Sequence, residues 1–377
     1  MTSTLLQRAG RVFSRCLGAI VRVRLRLVGR APAPATVRRA AIYCPHGIGD
    51  FTIFSPYLAS MIASLRRHGA SVDLLTTTQG VSVLRQLDNP MLNDARIILI
   101  DFQYTTNLTR PWFASRLFAR RYDLLLSSYY TPDAAFAPAC LLRFKGYLRF
   151  TPEGALDTNL VSARHSLHPG HLRNLFAYTT VLLQRWLVGD QRPIQERDLL
   201  ELQRPQDMAF FVGGSGRPNR LVFYGRYFKR ARKCYPMQYF ATLLAELKKR
   251  HVTFDEIVFV FGTADDQALT ADERRILKDI EGRGVRVLVS NDLNITLREM
   301  RGARMFVGPD GGGAHLAVLA GVPTIIAFFD KDAQPIWVLP ERHASTCLHA
   351  PTMQELLPAR VAAAVEALVK RKRPPHK

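Results

Sequence analysis

The sequence predicts two α/β domains in series, each built on a parallel sheet, and three observations carry that prediction. Short apolar runs such as "RRAAIYC" (38–44) and "EIVFVFG" (256–262) have the length and residue types of strands buried on both faces. They alternate with segments of helical period, "FSPYLASMIASLRRHG" (54–69) and "QYFATLLAELKKRH" (238–251) among them. The pattern lapses in the polar, proline-containing stretch 189–207 and restarts at "RLVFYG" (220–225).

In order along the first half, strands are expected at 38–44, 71–77, 95–101 and 122–128, with a glycine loop and the helix 54–69 after the first. The rest of that half, around Trp112 to Arg121 and Leu172 to Val188, reads as mostly helical. The second half reads as strands at 220–225, 256–262, 285–290, 303–310 and 323–329, the last of its sheet, and a closing helix over 351–373.

A chain of 377 residues, 47% apolar and 22% charged, has enough hydrophobic material for two cores. Its five cysteines show no CxxC pair and no histidines at zinc spacing, so no metal site and no disulfide framework is expected; a reducing compartment fits. The net charge of +21 is concentrated at the ends: residues 1–40 hold nine arginines and no acid, and Lys370, Arg371, Lys372, Arg373 and Lys377 close the chain. That placement favours an anionic surface touched by tails, and no nucleic-acid partner is expected.

Arginines interrupt the N-terminal apolar run, and no stretch of the chain is expected to be long and apolar enough to span a bilayer. On a helical wheel, Arg8, Arg11, Arg15, Arg22 and Arg26 share one arc and Leu5, Ala9, Val12, Phe13, Cys16, Ile20, Val23 and Leu27 the opposite one; only Arg24 departs from the division. Such a helix suits a membrane surface, with packing on the protein's own body or an Arg-rich leader as the alternatives. The stretch Ala31-Pro32-Ala33-Pro34-Ala35 then acts as a semi-rigid linker.

The segment "FVGPDGGGAHLAVLAGVPTIIAFF" (306–329) places Asp310 and three glycines between a strand and a helix that opens near His315. The amides of Gly311, Gly312 and Gly313 and the positive helix end suit an anion, a diphosphate above all. A structural turn would account for the glycines alone, and His315 reads equally as a histidine buried under the turn.

Three stretches together resemble glycosyltransferase family 9, the heptosyltransferase-like family. They are the segment just quoted, "GIGDFTIFSP" with Gly49, Asp50 and Pro56, and "RKCYPMQYFATLLAEL" (232–247). The resemblance implies a GT-B fold, two Rossmann-like domains facing a central cleft. With it the expected organisation is a basic amphipathic helix and linker over 1–36 and a C-terminal helix and basic tail over 351–377, both read from the residues, around an acceptor domain over 37–205 and a nucleotide-sugar domain over 206–350, whose roles the resemblance implies. By position, Lys233 matches the lysine that neutralises the donor diphosphate, and Asp310 a carboxylate that bonds sugar hydroxyls. Asp266, four residues past Gly262, resembles the acid for the nucleotide ribose, with Asp265 or plain surface charge as the alternatives. His171 and Arg173 of "HPGHLRN" match a first-domain pair near the acceptor.

The sequence departs from the family where Gly311 follows the motif aspartate, where Cys234-Tyr235 precedes the proline, and where Asp330-Lys331-Asp332 follows the last strand. The expected reaction is an inverting, metal-independent sugar transfer from a nucleoside diphosphate donor, ADP-linked, with Asp50 as base and no resident cofactor. The expected acceptor is an anionic, lipid-linked glycan of the lipopolysaccharide core on the inner face of the inner membrane, met by Arg110, Arg116, Arg120, Arg121, Arg143, Lys145 and Arg149. A GT-B sugar-nucleotide epimerase or hydrolase, and a non-catalytic membrane-binding protein with a relic transferase body, remain the alternative readings.

Overall fold

The computed structural model describes residues 16, 18–45, 47–87, 92, 94–100, 120–127, 136, 139–140, 142–150, 156–160, 172–202, 219–224, 234–301, 303–328 and 345–370. The chain divides into two compact units, Met1–Arg85 with Asn89–Arg204, and Gln86–Asp88 with Pro205–Lys377.

The first unit carries a six-stranded sheet in the order β3-β2-β1-β4-β5-β6. The strands are β1 (Arg39–Cys44), β2 (Ser71–Thr76), β3 (Ala95–Leu99), β4 (Arg121–Ser127), β5 (Arg143–Phe150) and β6 (Leu156–Thr158). All neighbours run parallel except β5 and β6. The last two strands lie where the sequence reading named no strand. Charged and apolar residues alternate through "RFKGYLRF", the period of a strand near a sheet edge.

Helix α1 (residues 18–26) precedes the sheet. Helix α2 (Ile48–Arg67) follows β1 and begins six residues earlier than expected, so "GIGD" is the N-cap and first turn of a helix and not a free loop. Gly47 sits at φ −73°, an ordinary extended conformation, so no sharp glycine turn is needed there. Pro56 lies inside this helix and cannot donate to the Thr52 carbonyl four residues back. The Ser55 hydroxyl donates to that carbonyl at 2.8 Å instead, which satisfies the group the proline leaves open. By length and composition α2 is apolar enough to cross a membrane, which corrects the expectation that no stretch is. It is a core helix: Phe51, Phe54, Leu58, Met61, Ile62 and Leu65 are all fully buried. Short α3 (Thr78–Leu84) follows β2, and α4 (Leu172–Leu187) and α5 (Glu196–Leu202) complete the unit.

The second unit repeats the design, with the order β12-β11-β10-β7-β8-β9 and every neighbour parallel. Its strands are β7 (Arg220–Tyr224), β8 (Glu256–Phe261), β9 (Val285–Val289), β10 (Met305–Pro309), β11 (Thr324–Phe328) and β12 (Ser345–His349). β12 corrects the expectation that the strand at 323–329 is the last. Its "STCLH" carries no apolar run; it is held by pairing with β11 along its whole length.

The helices are α6 (Met237–Lys249), α7 (Thr263–Gln267), α8 (Ala271–Gly282), α9 (Leu293–Arg301), α10 (Gly312–Leu319) and α11 (Pro358–Lys370). Stacked Phe223 and Phe259, with Phe240 and Phe261 edge-on to Phe259, form the aromatic centre of one core. Val361, Ala362, Val365 and Leu368 of α11 join that core, so the C-terminal helix is part of the second unit's packing. Gly69, Gly189, Gly284 and Gly321, each just past a helix, hold positive φ and close α2, α4, α8 and α10.

The amino edges of both sheets are tied by ion networks. In the first, Arg96 donates to both oxygens of Asp73, at 2.8 and 2.5 Å, and the Tyr122 hydroxyl donates to it at 2.6 Å. In the second, Arg220 and Arg286 each bridge Glu256 and Glu299. These strand starts are therefore occupied, which leaves the carboxyl edges as the place where a ligand meets loop backbone.

Candidate functional site

In each sheet the strand order reverses beside the unit's first strand, between β1 and β4 in the first and between β7 and β10 in the second. Connections leave such a point in opposite directions, and loops at the carboxyl ends part there to admit a ligand. Of the residues singled out in the sequence, Gly49 and Asp50 follow β1 and Asp310 to Gly313 and His315 follow β10, at these two points, whereas Gly262 and Asp266 follow β8.

In the first unit, Asp50 is the acid in the first turn of α2, six residues beyond the end of β1. A carboxylate there sits against the helix's positive end, a favourable place for it on structural grounds alone. Gly49 is its neighbour in the same turn. Arg173 lies in the first turn of α4, whereas His171 is outside the described residues.

In the second unit, β10 ends at Pro309 and delivers Asp310, whose N–H donates to the Ala327 carbonyl of β11 at 2.8 Å. Gly311 is the N-cap of α10, with φ 163°, extended backbone open to any residue. Gly312 and Gly313 form the first turn, where helix geometry leaves N–H groups without intrahelical acceptors. The helix's first bond runs from the His315 N–H to the Gly311 carbonyl, 3.1 Å. His315 Nε2 stands 3.3 Å from Asp310 Oδ1; the imidazole is 6% exposed and the carboxylate 18%. The sequence left open whether His315 faces ligand or lies buried. It is buried, and it is bonded to the aspartate that opens the loop.

Gly262 ends β8 and caps α7. The buried Asp265 carboxylate turns back to accept from the Gly262 N–H at 3.3 Å, and Asn291 Oδ1 accepts from the Thr263 N–H at 2.9 Å. Asp265 is therefore a capping residue, a role written in its N3 spacing from Gly262. Asp266 is half-buried, and Arg274 lies on it, 3.4 Å from its carboxylate and donating to its carbonyl at 2.7 Å. Arg274 and Asn291 were not singled out in the sequence, where neither belongs to a recognisable motif.

Lys233 is outside the described residues, with the basic run 225–233. Immediately after it, Tyr235 is buried in the core against Phe223 and Phe240, and Pro236 caps α6. Among the described residues no three His, Cys, Asp or Glu side chains gather as a metal site would require. Of the cations assigned to an acceptor, Arg149 is a correction. It is buried, its Nε donates to Asp157 at 2.8 Å, and its guanidinium lies over Phe136, so it has no surface to offer. Arg120 and Lys145 pair with Asp73 and Asp123.

Two parallel-sheet α/β units, each with its loops at a switch point, define a protein of the GT-B class. Residues 174–356 match the sequence profile of glycosyltransferase family 9 (heptosyltransferase). That segment, just under half of the chain, carries a family 9 glycosyltransferase domain.

Solved structures agree in fold. The E. coli heptosyltransferase WaaC with ADP superposes with a TM-score of 0.60 at 16% identity, covering 88% of this chain and 99% of the other. A family 9 glycosyl transferase from Veillonella parvula gives 0.61 at 13%, covering 90% and 99%. The E. coli ADP-heptose lps heptosyltransferase II gives 0.53 at 14%, covering 88% and 98%. No curated protein matches the chain by sequence.

Proposed function

We propose that the protein transfers a sugar, a heptose, from an ADP-linked donor to an anionic lipid-linked glycan of the lipopolysaccharide core type, with inversion and without a metal. The observation that carries this reading is the loop Asp310-Gly311-Gly312-Gly313 at the switch point of the second sheet, with helix α10 behind it. Its first-turn amides and helix end make a seat for the leaving diphosphate. The ADP in the WaaC structure, and ADP-2-deoxy-2-fluoro heptose in a second WaaC structure (TM-score 0.57, 17% identity, 87% and 99% covered), support the choice of donor.

In this reading Asp50 takes the proton from an acceptor hydroxyl. The acceptor oxygen attacks the anomeric carbon from the face opposite the diphosphate. The bond from that carbon to the diphosphate oxygen breaks, and ADP leaves with the electron pair. Lys233 and the amides of Gly311 to Gly313 receive the negative charge, in place of a metal ion. Asp310 holds sugar hydroxyls, kept in position by His315, and Asp266 near Gly262 holds the ribose; Gly49, His171 and Arg173 line the acceptor. The enzyme works in the cytoplasm, peripheral on the inner face of the inner membrane.

The test is release of nucleoside diphosphate from a panel of nucleotide sugars, with and without a phosphorylated lipid-linked core acceptor. Acceptor-dependent ADP release from an ADP-heptose supports the reading. Turnover of a donor without any acceptor would replace it with an epimerase or hydrolase.

A further inference from the structure

Helix α1 has three faces where the sequence alone showed two. Val21 and Leu25, with Val28 just beyond the helix, are buried against Ala41, Tyr43, Leu125 and Tyr147 in the core of the first unit. Arg24 belongs to one flank of that contact: its Nη2 donates to the Leu142 carbonyl at 3.4 Å and its guanidinium lies 5.2 Å from the centre of the Phe144 ring. On the side turned away from the body, Ile20, Val23 and Leu27 are 58%, 56% and 72% exposed, and Cys16 is exposed with them. At 3.6 residues per turn these four fall within an arc of about 60°. The other flank carries Arg22 and Arg26, both exposed.

We propose that this outward stripe is a docking surface for an anionic bilayer, fixed in orientation because the opposite face of the same helix is locked into the first unit. The inference rests on the membrane placement in the reading above and names the surface that makes it. Ile20, Val23 and Leu27 are three of the eight large hydrophobic residues exposed among the described residues, and they are consecutive along one helix face.

The charge around them selects the occupant. Residues 1–40 contain no acid, and the sheet face that holds α1 also presents exposed Arg121 and Arg143, beside a Lys145 that pairs with Asp123, since Arg121 and Arg143 are register partners and side chains alternate along a strand. Aliphatic side chains flanked by guanidinium groups match acyl chains below anionic headgroups. A second copy of this chain would bring the same positive charge against itself.

The experiment is flotation of the full-length protein with vesicles of phosphatidylglycerol and phosphatidylcholine, against vesicles of phosphatidylcholine alone. The wild type is expected to bind the anionic vesicles preferentially. The combined variant Ile20→Ser, Val23→Ser, Leu27→Ser is expected to bind at least tenfold more weakly with an unchanged unfolding temperature. Arg22→Gln with Arg26→Gln is expected to lose most of the preference for anionic lipid.

Val21→Ser changes the buried face and is expected to lower the unfolding temperature, which separates the two faces. Vesicle binding that neither surface variant alters would overturn the proposal. So would a serine variant that binds vesicles like wild type but dissociates from dimer to monomer, since the occupant would then be a second copy. ADP binding measured on the same samples bears on the transfer reading alone, so each reading can fail without the other.

Discussion

His315 Nε2 lies 3.3 Å from Asp310 Oδ1, joining the first turn of α10 to the residue that opens the loop before it. The contact gives the buried imidazole a polar partner and fixes the carboxylate at the mouth of the glycine turn. Asp310→Asn is expected to lower kcat/KM by about 10²-fold or more, within the range for losing a positioned polar group. His315→Ala, which frees that carboxylate without removing it, is expected to cost about tenfold. Steady-state ADP release checks both, and a His315→Ala enzyme with wild-type kcat/KM would remove the positioning role.

Asp50 occupies the first turn of α2, where a carboxylate has a structural reason to be as well as a chemical one. The two roles separate in Asp50→Asn, which keeps the side chain's shape. If the carboxylate is the base, kcat falls by about 10²–10⁴-fold while calorimetric donor affinity stays the same. If it only caps the helix, kcat holds and the unfolding temperature drops slightly.

Asp73 ties the amino edge of the first sheet, and its protonation sets part of the acid limit of stability. Burial pushes its carboxyl up, but hydrogen bonds from Arg96 and Tyr122 and the charges of Arg96 and Arg120 outweigh this and hold it below the usual carboxylate range. Its contribution is therefore fully present above the ordinary aspartate value of about 3.9 and is lost as pH falls through the lower folded-state value. Asp73→Asn is expected to cost about 2 kcal/mol at neutral pH, less than a fully buried pair because Arg96 is mostly exposed. The difference from wild type should shrink as pH is lowered below 4 in urea unfolding series; a constant difference would rule out the ionised carboxylate as its source.

Tyr235 is buried among Phe223, Phe240 and Tyr239, and its hydroxyl finds no hydrogen-bond partner among the described residues. Removing a buried, unpartnered hydroxyl relieves a desolvation cost of about 1–3 kcal/mol. Tyr235→Phe is expected to leave the protein as stable as wild type or raise its unfolding temperature, which differential scanning calorimetry reads directly. A clear loss of stability would show that the hydroxyl has a partner.

Strands that carry continuous apolar runs were legible in the sequence, and β1, β2, β3, β4, β7, β8, β9, β10 and β11 stand within a residue or two of where that signal puts them. β5, β6 and β12 were not: "RFKGYLRF" has a strand's alternation but no continuous apolar run, and "LDT" and "STCLH" owe their strand conformation to a neighbour's backbone. The loop at Asp310 was legible for a local reason: aspartate, glycines and histidine follow one another on the chain. What His315 touches was not, since an imidazole beside a glycine turn can face either way.

By itself the sequence determined the two α/β domains, the chemistry gathered at Asp50 and at Asp310 to Gly313, and the basic, amphipathic start of the chain. Hydrophobic period and residue type are local properties, and each of these features is encoded locally. Only the tertiary structure decided that α1 buries Val21, Leu25 and Val28 and turns Ile20, Val23 and Leu27 outward, and that Arg24 leaves its helical pattern to reach Leu142 and Phe144. A helix with two apolar stripes can bury either one, and the choice belongs to the surface across from it, here the face of a sheet whose strands are assembled from residues as far as 118 positions away and more.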